Sequence, residues 1–327
     1  MVENNSIELT EQETELYDRQ IRLWGLDSQK RLRAARILLC GLNGFGAEIA
    51  KNIILAGVKS ITLLDSQKVS ETDFCSQFLA PQNSVGMNRA SASLLRAQAL
   101  NPMVEITVDT AKLDDKPDEY FYNFDVVVVT EATKKQQIRI DNACRLRGIK
   151  FFAGDVWGTF GYSFADLQEH NFAEEIFKHK QGEKKKSEMV TSTVKRTVCF
   201  PPLQDVLDFD HTEASFVKKI KRTGPSFIVL KVLQNFRETY GRDPSYKTRS
   251  EDLAKLLAIR DEIAPNLGIP DAAFVHVFAQ ISPVVAIVGG ELAQEIIKAV
   301  SQKEAPHNNL FLFDPATCCG YVETIAN

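Results

Sequence analysis

The sequence predicts an α/β fold: a doubly wound, largely parallel sheet with an antiparallel extension and additional C-terminal helices. Three observations support this. The stretch "RILLCGLNGFGAEIAKNIILAGVKSITLLD", Arg36 to Asp65, reads as one complete strand, glycine turn, helix and strand. The runs "VEITVD" and "FDVVVVT" are short, apolar and rich in β-branched residues, the second suited to a strand buried on both faces. Between such runs lie segments with the 3.6-residue apolar period of helices, and that alternation is how parallel sheets are built.

The elements follow in order. Thr10 with Glu13 is a capping-box signature, so a first helix is expected from there to Trp24, stopped by Gly25. A second short helix starts after Asp27, and "RILLCG" supplies the first strand. In "GAEIAKNIILAG" Ile49, Ile53 and Ile54 share one face and Gly57 ends the helix, after which "SITLLD" is the next strand. Further helices are expected from about Met87 to Leu100 and from Lys134 to Arg147, the latter closed by Gly148 before "IKFFAG". After Gly154 the pattern changes. "GYSFADLQEH" and "TVKRTVCF" alternate like antiparallel strands, while "KHKQGEKKKSEMVTS" between them is charged and aperiodic and reads as a mobile loop. Helices from about Ser226 to Tyr240 and from Glu251 to Ile263 precede "ISPVVAIVGGELAQEIIKAV", where Pro283 suits a first turn and Gly289-Gly290 permits close packing. "LFLFD" is the closing strand. The expected division is N-terminal helices over 10–35, a Rossmann-like half over 36–154, an antiparallel extension with helices over 155–177 and 194–327, and the loop over 178–193. All of it forms one domain over 1–327.

Composition limits the function classes. With 327 residues, 44% apolar and 25% charged, the chain can bury a sizeable core. A formal net charge of −4 provides no basic field for nucleic acid or anionic lipid. No stretch reaches a membrane span and the N-terminus lacks a signal-peptide order, so an intracellular, soluble protein is expected. Cys40, Cys75, Cys144, Cys199, Cys318 and Cys319 include no C-x-x-C pair and read as reduced structural thiols. The lysine run "KKK" reads as a solvated loop, with nuclear import as the other meaning.

The glycine turn departs from the dinucleotide fingerprint. Gly41, Gly44 and Gly46 are ordered G-x-x-G-x-G, with Asn43 where a second fingerprint glycine belongs, which disfavours an NAD-dependent oxidoreductase. Two readings stay open. The turn could offer backbone N–H groups to phosphate, with Asp65 on ribose hydroxyls, or its glycines could serve only close packing.

Taken in order, "YDRQIRLWG", "GLNGFGAEIAKNIILAGVKSITLLD", "QFL", "VGMNRA", "NPMVEI", "FFAGDVWGTFGYSFADL" and "VVAIVGGELAQEIIKA" resemble the activating enzymes of ubiquitin-like proteins, over nearly the whole chain. Such enzymes pair two related halves, each similar to the bacterial MoeB and ThiF adenylyltransferases. One half binds ATP and Mg²⁺ and adenylates the C-terminal glycine of the ubiquitin-like protein; the other lacks the chemistry. Where active halves carry an asparagine and an arginine before "QFL", this chain has Cys75 and Ser76; Met87 stands for a second arginine and Arg89 for a lysine. Ala132 and Thr133 stand for the metal-binding aspartate and the asparagine after it. Glu131 is adjacent, but on an extended segment neighbouring side chains face opposite ways, so no metal ligand is expected.

The resemblance therefore implies the non-catalytic half. It implies that Arg19 of "YDRQIR" reaches the ATP phosphates in the partner's site, while Gly41, Gly44, Gly46 and Asp65 remain as a degenerate turn. ATP and Mg²⁺ would be bound mainly by the partner. Length and the short lysine-rich loop direct the resemblance to the small subunits of SUMO-activating enzymes. These assist adenylation of the SUMO C-terminal glycine and thioester formation on a catalytic subunit, in the nucleus and also the cytoplasm. The apolar "PVVAIVGGELA" is then expected at the interface between the halves. The alternatives are a degenerate subunit of a NEDD8-type enzyme and a stand-alone MoeB/ThiF-like adenylyltransferase, the latter opposed by Ser76, Met87 and Ala132.

Overall fold

A computed structural model describes residues 9–180, 188–213, 216–218, 220 and 224–326, with backbone alone for 175–180 and 188–191. One eight-stranded sheet organises the chain, in the order β10-β9-β6-β5-β4-β1-β2-β3. Strands β1 (Arg36–Cys40), β2 (Ser60–Leu64), β3 (Glu105–Asp109), β4 (Val126–Val129) and β5 (Lys150–Trp157) are mutually parallel. Strands β6 (Phe160–Asp166), β9 (Leu310–Asp314) and β10 (Cys319–Glu323) extend the sheet antiparallel. The order reverses between β1 and β4, which opens a crevice at their carboxyl ends.

Eleven helices have described bounds: α1 (Glu11–Leu16), α2 (Asp18–Trp24), α3 (Leu26–Ala34), α4 (Gly44–Ala56), α5 (Arg89–Leu100), α6 (Asp118–Phe121), α7 (Lys134–Arg145), α8 (Leu203–Asp208), α9 (Ser226–Tyr240), α10 (Arg249–Ile263) and α11 (Ser282–Ser301). They cover both faces. Val126 and Val128 of β4 join a core with α4 and α11, whereas Val127 and Val129 join one with α7 and α9. Alternation along a strand buried on two sides is why four consecutive valines are needed.

Several expectations change. The first helix is two, broken at Tyr17 (φ −99°, ψ 13°). Tyr17 is 2% exposed; its hydroxyl accepts Asn101 Nδ2 at 2.8 Å, and its ring lies where a Cβ on Gly57 would be, 2.4 Å away. Burial of that ring, a tertiary demand, bends the chain. The extension after Asp166 leaves the main sheet as a separate ribbon, β7 (Glu169–Lys180) against β8 (Glu188–Cys199). Within the loop expected over 178–193, residues 178–180 and 188–193 are strand instead, because pairing continues to Lys180 and Glu188. Residues 181–187, with the "KKK" run, lie outside the described residues. Strand β10 was not anticipated; it pairs with β9 through a turn around Pro315 to Cys318.

The apolar "PVVAIVGGELA" is also used differently. Val284, Val285, Val288 and Leu292 pack within this chain, and a Cβ on Gly289 would come 2.9 Å from Glu48 Cβ of α4. Helix-on-helix packing buries one face of the segment, while Pro283, Ala286 and Ile287, the last 49% exposed, remain on the other. Beyond α11, His307 is tied back to it. Its Nδ1 lies 2.8 Å from Glu291 Oε1 and 3.9 Å from Glu295 Oε1, and Glu295 also faces Lys298 at 2.7 Å. Contact with Glu291, reinforced by Glu295, raises the imidazole pKa above its ordinary value. A raised histidine pKa contributes stability that is present below the unfolded value and lost as pH rises through the folded one. Urea midpoints of wild type and His307→Gln are therefore expected to converge as pH is raised above about 6.5. A constant difference across that range would contradict the tether.

Candidate functional site

The glycine turn and its neighbours meet at the crevice where the strand order reverses. Gly41 leaves β1 at φ +89°, and its N–H donates to Leu64 O at 2.8 Å. Helix α4 starts at Gly44, capped by Asn43, whose side chain accepts from the Gly46 N–H at 2.9 Å. Asp65, at the end of β2, accepts the Leu42 N–H at 2.7 Å and the Gln67 N–H at 2.7 Å. Gly41, Gly44, Gly46 and Asp65 are thus brought together as expected.

What surrounds them supports the packing reading of the turn. Thr130, 3% exposed at the end of β4, donates its hydroxyl to Cys40 O (3.1 Å) or Gly41 O (3.2 Å) and so bridges the two strands. A Cβ on Gly41 would meet Thr130 Oγ1 at 2.2 Å; one on Gly44 would meet Ser76 Oγ at 1.9 Å; one on Gly46 would meet Gly41 O at 2.1 Å. The space that makes glycine necessary is occupied by the protein itself. Close packing accounts for each of the three.

The acidic side of the crevice is also filled from within. Arg89, 5% exposed at the start of α5, donates Nε to Asp65 at 2.9 Å, Nη1 to Asp73 at 3.2 Å and Nη2 to Glu131 at 2.5 Å. One guanidinium faces three carboxylates. These partners keep Arg89 charged against the cost of its burial. Burial pushes Glu131 up to about 7, with Arg89 opposing the rise and Asp65 adding to it. An excess of carboxylate over cation at the turn opposes a triphosphate, and Arg89 is already committed to those carboxylates.

Glu131 corrects the alternation argument. Its φ is +55°, so the segment after β4 is not extended there, and the carboxylate turns into the crevice. Asp155 imposes this: it is 1% exposed, accepts the Glu131 N–H at 2.9 Å, and accepts Arg237 Nη1 at 2.6 Å. Burial raises Asp155 to about 6 despite that arginine. Arg237 also donates to Ala132 O at 3.0 Å, while Thr133 caps α7. A carboxylate therefore does stand near the position expected to be empty, but it serves Arg89. Ala132 is buried, Met87 is 52% exposed and Cys75 is exposed. The residues present do not fit an ATP–Mg²⁺ complex in this chain's own turn.

Arg19 stands apart from this cluster. It is exposed on α2 and has no hydrogen-bond or ion-pair partner among the described residues, whereas Arg22 pairs with Asp18 at 3.0 Å. The helices carrying it are fixed. Glu13, 4% exposed, pairs with Arg33 and closes the capping box on Thr10. The last carbonyls of α4 each accept a side-chain amide: Ile54 from Asn101 at 3.0 Å, Leu55 from Gln20 at 3.1 Å, Ala56 from Gln29 at 2.9 Å. These bonds satisfy acceptors that a helix end leaves open. They also dock α2 at the far end of α4 from the glycine turn, and thirteen residues of helix separate the two by roughly 20 Å. Sequence reasoning missed Thr130, Asp73, Asp155 and Arg237, because no spacing rule links them to the turn.

Comparison with known proteins fits this picture. The ThiF family model matches residues 17–323. SUMO-activating enzyme subunit 1 of Rattus norvegicus is 46% identical over 97% of this chain and 95% of its own length. The Homo sapiens protein of that name is 46% identical over 97% and 96%, and the Danio rerio one 44% identical over 98% and 97%. Among solved structures, E. coli MccB with MccA-N7isoASN aligns with a TM-score of 0.59 at 11% identity, covering 95% of this chain and 72% of that one. Selenomethionine PaaA aligns with a TM-score of 0.60 at 14% identity, covering 98% and 85%. At such identities the two structures speak for the fold alone.

Proposed function

Since the chain belongs to the ThiF family and is a homologue of SUMO-activating enzyme subunit 1, we propose that it is the non-catalytic half of a heterodimeric SUMO-activating enzyme. In this reading the partner subunit binds ATP and Mg²⁺, adenylates the SUMO C-terminal glycine and forms the thioester. This chain completes the dimer and lends Arg19 to the partner's site, in the nucleus and also the cytoplasm. The observation that supports it is the ionic cluster at the turn, where Arg89, the residue standing for a lysine, is held by Asp65, Asp73 and Glu131. A second point agrees. Helix α2, which carries Arg19, docks roughly 20 Å from this chain's own turn, and the Arg19 guanidinium has no partner among the described residues, which supports a role toward another chain.

ATP–pyrophosphate exchange separates the possibilities. The isolated chain is expected to show no exchange, and the chain with its catalytic subunit to show SUMO-dependent exchange. Exchange by the chain alone would indicate a self-sufficient adenylyltransferase instead. The dimer itself is expected to be permanent, burying roughly 2,000 Å² or more. Sedimentation of the mixture is expected to give one stable complex, and a persistent monomer would refute the assignment.

A further inference from the structure

At the edge of the sheet opposite the glycine turn, where the parallel strands begin, a pocket of about 190 Å³ is lined by Arg31, Asp125 and Lys150 together with Ala35, Val126 and Val300. Its charges do not cancel. Asp125 accepts from Arg36, from the backbone N–H at 2.8 Å and from Nε and Nη2 at 3.2 Å each, so its carboxylate is answered from outside the pocket. Arg31 spends Nε on Ser301 O at 2.6 Å and Nη2 on Ser28 Oγ at 3.3 Å, with the exposed Asp27 carboxylate acting on it from a distance. Its Nη1 is unused among the described residues. The ammonium of Lys150, on the first residue of β5, has no hydrogen-bond or ion-pair partner among them. Arg31, Arg36 and Lys150 against Asp125 and the more distant Asp27 leave one positive charge in excess.

A neighbouring group registers that excess. His170 is 3% exposed, its Nε2 makes no hydrogen bond, and burial together with repulsion from Lys150 pushes its pKa down to about 4. Burial likewise lowers the pKa of Lys150 itself, with only Asp125 opposing. A desolvated ammonium without a counter-ion is costly, and an oxyanion would restore the missing partner. The volume admits one compact anion. Arginine's planar donors suit phosphate oxygens, and a phosphate oxyanion supplies the counter-charge that the Lys150 ammonium lacks.

We propose that this pocket binds a phosphate group, held between the Lys150 ammonium and the unused Nη1 of Arg31. The site is separate from the crevice and does not depend on the adenylation reading. Inorganic phosphate, glycerol phosphate, acetate and chloride at matched ionic strength would be titrated into the full-length chain. Methyl NMR signals of Ala35, Val126 and Val300 report the pocket. Saturable shifts with inorganic phosphate are expected, with chloride giving none; tighter binding of glycerol phosphate would identify an organic ester as the preferred source. Lys150→Met is expected to weaken binding by about tenfold or more, and Lys150→Arg to retain most of it. Should Lys150→Met fold poorly, Arg31→Met carries the same test. Shifts that do not saturate, that chloride reproduces, or that survive unchanged in both methionine variants would overturn the proposal.

Discussion

Replacing Arg19 by alanine is expected to lower SUMO-dependent ATP–pyrophosphate exchange roughly 10²-fold while the heterodimer remains assembled. Adenylation develops negative charge on the departing pyrophosphate, so a guanidinium gripping the terminal phosphates stabilises the transition state more than the ground state. Trans-acting arginines in other phosphoryl transfers contribute on the order of 10³–10⁵ in rate. Attack at the α-phosphate with pyrophosphate leaving needs less help. Arg19→Lys is expected to restore activity only in part, because a point charge replaces a planar fork. Arg22 is the control. It sits one helical step away, its side chain is 78% exposed and it is paired with Asp18, so Arg22→Ala is expected to matter little. The fixed base of α2 makes the experiment clean, since Tyr17, Gln20 and Glu13 hold the helix without using Arg19. If Arg19→Ala exchanges pyrophosphate at the wild-type rate, or loses activity only because the dimer dissociates, the helix is structural.

Arg89→Met is the second large effect, read on folding. Among the described residues it would remove the only cation paired with Asp65, Asp73 and Glu131, all within 3.2 Å of the guanidinium. Removing one member of a buried ionic cluster costs about 3–5 kcal/mol, because the remaining charges stay desolvated and repel one another. The thermal midpoint should fall by roughly 6–15 °C. The sign of the pH dependence is fixed. Without Arg89 the Glu131 pKa rises further, the folded state binds more protons, and the deficit shrinks as pH falls below the value of about 7 that Glu131 already has. Adding Glu131→Gln to the variant should recover part of the loss. A deficit under about 1 kcal/mol that ignores pH would show that solvent, not Arg89, neutralises the cluster.

Much of the fold was legible because the signals are local. The Thr10–Glu13 capping box, the left-handed Gly57 at the end of α4 and Pro283 in the first turn of α11 involve residues within a turn of one another. Backbone sterics and short-range hydrogen bonds act the same way in any context. The four valines of β4 and the face of Ile49, Ile53 and Ile54 were equally readable, since the period of apolar residues is set by strand and helix geometry. The family, too, was legible, through ordered motifs that no single spacing rule would carry.

The candidate site was legible in its members but not in its state. The sequence by itself determined the βαβ unit, its glycine turn and the absence of the usual polar residues at Cys75, Ser76, Met87 and Ala132. It could not say which side chains pack against the turn. Tertiary structure supplied those contacts, through Thr130 meeting Cys40 from 90 residues away and Arg89 meeting Glu131 from 42. It also turned Glu131 inward against the alternation rule, because Asp155 and Arg237 hold that backbone at a positive φ. The packing of "PVVAIVGGELA" was settled the same way, by Gly289 admitting α4 so closely that Val284, Val285, Val288 and Leu292 are buried inside the chain. An apolar period states that a face will be buried, but which surface buries it depends on contacts formed between distant segments once the sheet has assembled.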